Sequence, residues 1–148
     1  MGLNAEKNPQ RGAAAAAGLA LLACSLIAAC SDPYADARAA LTPSERERFD
    51  RGARAAAPCA ACHDLAGKTM KVGPPLRGLE GRKAGSLVGF GYSAALQRSG
   101  VVWSERTLDA FLASPGTYIP GNRMVAPGVS DATRGDLVFF LLRAGDAP

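Results

Sequence analysis

The pentapeptide Cys59-Ala60-Ala61-Cys62-His63 holds the only histidine of the chain and two of its four cysteines. No other feature limits the fold so strongly. Cysteines three apart on a helical turn share one face, and the next residue follows directly. A disulfide between them would close a tiny loop and staple nothing. Zinc would need two further nitrogen or sulfur ligands, and no Cys or His follows His63. A thioredoxin-like redox pair needs a βαβ setting, which the sequence around residue 59 lacks. Covalent haem remains, because Cys-x-x-Cys-His is the attachment signature of a c-type haem. Cys59 and Cys62 can each form a thioether with a haem vinyl group, while His63 offers a ring nitrogen to iron.

A sixth iron ligand would have to be methionine, since there is no second histidine. Met1 lies in the leader and Met70 is too near the cysteines to wrap over the other haem face. Met124 lies in IPGNRMVAPG, a Pro/Gly-rich stretch free of helical constraint. The metal ligands expected are therefore His63 and Met124. No Ser/His or Cys/His catalytic pair, paired-carboxylate pocket or phosphate loop occurs, which leaves one-electron transfer and no enzymatic role. Removing the charges of the leader leaves 15 basic and 12 acidic side chains. This excess is too weak for nucleic acid but can orient docking on an acidic redox partner.

Residues 12–31 carry no charge and follow Lys7 and Arg11, the layout of an export signal. Leu26-Ile27-Ala28-Ala29-Cys30 resembles a bacterial lipobox, with Cys30 the lipidated first residue of the mature chain. A plain cleaved signal and an uncleaved anchor are the other readings; all three export the domain to the periplasmic side. The division expected is 1–29 signal, 30–41 tether and 42–148 haem domain.

Local signals across that domain are all-α. Thr42-Pro43-Ser44-Glu45 is a capping box opening a helix through Ala57, with Pro58 as its kink or stop. Residues 66–90 read as loop, and 93–100 as a short helix ending at Gly100. Ser104 to Thr107 opens a helix that stops before Pro115. Ser130-Asp131 opens the last, with Leu137, Phe140 and Leu141 on one face.

From Gly52 to Leu142 the blocks VGPPLRGLEGRKAG, GFGYSAAL, VVWSERTLDAFLASP and YIPGNRM follow in order. Together with the haem motif they resemble the class I c-type cytochromes. The resemblance implies a cytochrome c fold of short helices and long loops around one haem. It implies His63 and Met124 as axial pair and Pro74 as the carbonyl acceptor for the imidazole. Tyr92 and Trp103 resemble donors to a haem propionate, and Arg82 the arginine beside it. Gly52 and Phe140 resemble the small and aromatic residues where first and last helices cross. Asn122 replaces a usual Thr at the haem, Leu96 an Asn and Phe111 a Tyr, so a smaller polar network beside the methionine is expected, with any water there lost or held by Asn122 alone. The function implied is one-electron carriage between redox proteins, with no small-molecule substrate. A subunit of a larger dehydrogenase or oxidase, or a five-coordinate sensor, stay open as alternatives.

Overall fold

The helix α2 spans Pro43–Ala55 and begins where the capping box places it. The Thr42 amide donates to Glu45 Oε2 at 2.9 Å, and the Glu45 amide to Thr42 Oγ1 at 3.4 Å. It ends two residues before the expected Ala57. A separate 3-10 turn, Ala57–Ala61, follows and takes Pro58 into its first positions, where a missing N–H costs no hydrogen bond. The computed structural model to which these elements belong describes residues 1–2 and 32–145. The chain divides into Met1–Ser31, of which Met1 and Gly2 are described, and Asp32–Pro148. The export signal and Cys30 lie outside the described residues. None of the described helices is long and apolar enough to cross a membrane.

The helix α3 is Ala94–Arg98, with the Ser93 side chain accepting from the Leu96 amide and Gly100 at φ 67° just past its end. The helix α4, Glu105–Ala113, has the capping box Ser104/Thr107. Pro115 does not simply end helical structure: it opens a further turn, α5, Pro115–Tyr118. The helix α6 runs from Asp131 to Arg143. Among the described residues there is no strand, only an isolated antiparallel bridge between Lys83 and Val102.

The core lies where α2 crosses α6 and where α4 packs on α6. Phe49, Leu137, Val138 and Phe140 are fully buried there. Phe49 and Phe140 meet edge to face at 4.9 Å, a favoured aromatic geometry. Trp103 meets Phe111 at 5.1 Å. Thus Phe111, where the resemblance leads one to expect Tyr, is an apolar core residue.

Of the stretch read as a tether, residues 32–41 are described, and they pack on the domain. Residues Ala35–Ala39 form a short helix, α1. Tyr34 packs on Phe49 at 5.9 Å and on Phe140 at 5.2 Å. Arg38 pairs with Asp50 at 2.7 Å and accepts at its carbonyl from Arg46 Nε at 3.0 Å. The chain therefore doubles back along α2 before α2 begins.

Candidate haem site

The attachment turn is built by short-range backbone bonds. The amides of Cys62 and His63 both donate to Cys59 O, at 3.1 and 2.9 Å. In a turn of this pitch residues i and i+3 eclipse, so the two cysteines fall on one side. No disulfide joins the two: Cys59 is half-buried and Cys62 exposed. Burial pushes the Cys59 thiol pKa up.

The loop after the turn straps back onto it. Gly73 N donates to Cys62 O at 2.7 Å, and Leu76 N to Asp64 O at 2.9 Å. Lys71 Nζ donates to the carbonyls of Ala60 and, at 3.3 Å, His63. His63 Nδ1 lies 2.7 Å from Pro74 O. A carbonyl only accepts, so Nδ1 carries the hydrogen and donates it. The Nε2 lone pair is then left for a metal, with the ring orientation fixed by its other nitrogen. Gly73 makes room for this ring: a Cβ there would sit 2.3 Å from His63 Cε1.

Asp64 closes the loop from within. Its carboxylate accepts from the amides of Gly67 at 2.8 Å, Thr69 at 2.9 Å and Ala66 at 3.2 Å. These bonds, the Gly67 one foremost, hold its pKa at about 2. Nothing in the sequence pattern marked Asp64 or Lys71, because each acts on backbone groups that only the folded loop brings near.

Arg82 and Trp103 are 21 positions apart, yet are joined through the bridge. Trp103 N donates to Arg82 O at 2.9 Å, and Ala84 N to Val101 O at 2.8 Å. Among the described residues the half-buried Arg82 guanidinium donates only to carbonyls, of Arg77 at 3.1 Å and Pro75 at 3.2 Å. It forms no ion pair among the described residues. Burial lowers its pKa, the neighbouring Tyr92 partly opposing this. Burial likewise raises the Tyr92 pKa. A half-buried cation without a carboxylate is costly until an anion joins it.

Met124 is half-buried and packs against the core with Leu65, Leu76, Leu96 and Tyr118. Asn122, two residues before it, has its amide taken up by backbone: Nδ2 donates to Pro115 O at 2.7 Å and Ile119 O at 2.8 Å, and Oδ1 accepts from Met124 N at 2.8 Å.

This donor set suits a c-type haem. Two cysteines sit on one turn, the adjacent imidazole keeps Nε2 clear of hydrogen bonds among the described residues, and Arg82 has no carboxylate partner among them, a role that a haem propionate would fill. Fold and attachment turn together define a c-type cytochrome, an electron carrier with one covalently bound haem c and not an enzyme. The family model for cytochrome c matches residues 49–144, and the chain belongs to that family. Its partners are accordingly redox proteins.

Relatives agree. The chain is 44% identical to cytochrome c2 of Rhodoplanes tepidamans over 89 residues, 59% of this chain and 83% of that one. It is 45% identical to cytochrome c of Arabidopsis thaliana over 85 residues, 56% of this chain and 76% of that one. The structure of cytochrome cH from Methylobacterium extorquens superposes with a TM-score of 0.59 at 40% identity, covering 63% of this chain and 95% of that one.

Proposed function

We propose that this chain is a high-potential one-electron carrier working on the periplasmic side of a bacterial membrane, with His63 and Met124 as axial ligands and Cys59 and Cys62 as the thioether positions. The observation that supports the reading is the Nδ1 bond from His63 to Pro74 O, which leaves the Nε2 lone pair available to a metal. When bound, haem c supplies one-electron exchange between ferrous and ferric iron. The side chains keep that exchange simple. Pro74 and Gly73 fix the imidazole plane, so both oxidation states find one ligand geometry. His63 and Met124 would hold the iron, and thioether ligation would favour the ferrous state and raise the potential. Leu65, Leu76 and Leu96 pack partly buried against the core, as Met124 does, and an apolar surround would disfavour the extra ferric charge. Arg82, Tyr92 and Trp103 receive the propionate charge. Residues 1–29 direct export, and acylation of Cys30 holds the mature chain at the membrane surface.

Two measurements test this. The oxidised protein should show the weak near-infrared band of iron–thioether bonding, abolished in Met124→Ala. A native protein without the band removes Met124 as ligand. Mass spectrometry of the mature N-terminus should find acylated Cys30; an unmodified terminus at another residue removes the lipid anchor and leaves the carrier reading intact.

A further inference from the structure

We propose that Asn122 is the positioning residue of the methionine loop: its amide fixes where Met124 stands, and it acts on the haem only through that residue. The proposal rests on Met124 being the axial ligand.

Residues 119–129 leave α5 without regular structure, so a ligand here needs some other hold. Gly121 turns the chain at φ 84°. Asn122 N then donates to Ile119 O at 3.0 Å, closing the turn on a buried residue. The Asn122 side chain extends this grip in both directions. Its two N–H groups reach back to Pro115 O, in the first residue of α5, and Ile119 O, in the residue just after it. Its oxygen reaches forward to the Met124 amide. A primary amide offers two donors and an acceptor in one plane, and here each has a partner. The half-buried side chain thus bolts the backbone of Met124 to a helical turn whose Pro115 and Ile119 are core residues.

Other side chains of similar size cannot do this. A threonine hydroxyl has a single hydrogen, so it can accept from Met124 N but can donate to only one of the two carbonyls. An aspartate would turn oxygen toward both carbonyls at under 3 Å. Alanine leaves the Met124 N–H without its acceptor, and each carbonyl keeps only its backbone donor, Ile119 N for Pro115 O and Asn122 N for Ile119 O. On the opposite flank Arg123 donates to Gly91 O at 2.7 Å, which ties the loop to a second segment.

The test compares holoprotein with Asn122→Thr and Asn122→Ala by two readouts. The first is the pH at which the oxidised protein loses its thioether band. It should fall in the order native, Thr, Ala, by about one pH unit in all, an approximately tenfold loss of the ligated population. The second is hydrogen exchange of the Met124 amide by NMR, which reads the hold on the loop whether or not sulfur reaches iron. It should quicken about tenfold in Asn122→Ala and less in Asn122→Thr. Equal exchange in all three proteins overturns the proposal, even if Met124 proves not to be a ligand. Quickened exchange with an unchanged band and unchanged pH midpoint also overturns it, because the grip then has no effect on ligation. If Asn122→Ala fails to fold, the native and Thr comparison decides both readouts.

Discussion

Gly52 and Phe140 touch at a point where no side chain fits between them. A Cβ on Gly52 would lie 2.6 Å from Phe140 Cβ and 2.1 Å from Asp136 O. The second contact is with backbone, so no rotamer change can relieve it. The α2–α6 crossing therefore depends on a missing methyl group. Gly52→Ala would force the helices apart and loosen Phe49, Leu137 and Phe140 with them. A loss of about 1–3 kcal/mol or more is expected, from thermal or denaturant unfolding of the holoprotein. An unchanged melting temperature would show that the helices cross elsewhere.

Gly73 has the same relation to the ligand ring. A Cβ would meet three atoms of the imidazole, at 2.3, 2.6 and 2.8 Å. Gly73→Ala should turn His63 off its bond to Pro74 O while leaving the cysteines able to react. We expect haem to be attached but the midpoint potential and the ferric spectrum to shift. Potentiometry that matched the native value would contradict this geometry.

The Asp64 carboxylate gives the attachment loop a pH dependence with a definite sign. Its pKa is lowered from 3.8 to about 2, first by the Gly67 amide and then by Thr69. A depressed acid pKa means stability that is present above the unfolded value and lost as pH falls through the folded one. Native protein should thus exceed Asp64→Asn in stability at pH 6. The gap should narrow between pH 3.8 and about 2. Denaturant midpoints across that range would check it, and a gap independent of pH would assign the effect to packing instead.

Tyr34 caps the Phe49–Phe140 pair from outside the stretch matched by the family model. Tyr34→Ala removes two edge-to-face contacts and should cost about 1–3 kcal/mol. A chain starting at Thr42 should lose at least as much. Equal stability of all three would mean that α1 does not stay on the core.

The sequence showed most of this where the signal was local. The Thr42/Glu45 and Ser104/Thr107 boxes set the starts of α2 and α4, since a cap acts within four residues. The haem turn was visible because its chemistry needs a fixed spacing. What escaped depends on contacts across the fold. α1 has only five residues, with no period, and is held by Tyr34 reaching two distant rings. α5 hid behind Pro115, which reads as a stop for α4 and equally serves as the first residue of a new turn. The bridge that seats Arg82 beside Trp103 joins segments that have no strand pattern of their own. Asn122 drew notice as a departure near the haem, but only the fold shows its amide turned to Pro115, Ile119 and Met124.

The doubling back of residues 34–41 also governs freedom of movement. As open coil, eight residues would give a leash of about 28 Å; wound onto α2 they give none. Their path returns toward Tyr34, whose phenol pKa is raised by burial and then by the charge of Asp64, the neighbour of His63. Residues 34–41 therefore move with the folded unit and add no reach of their own.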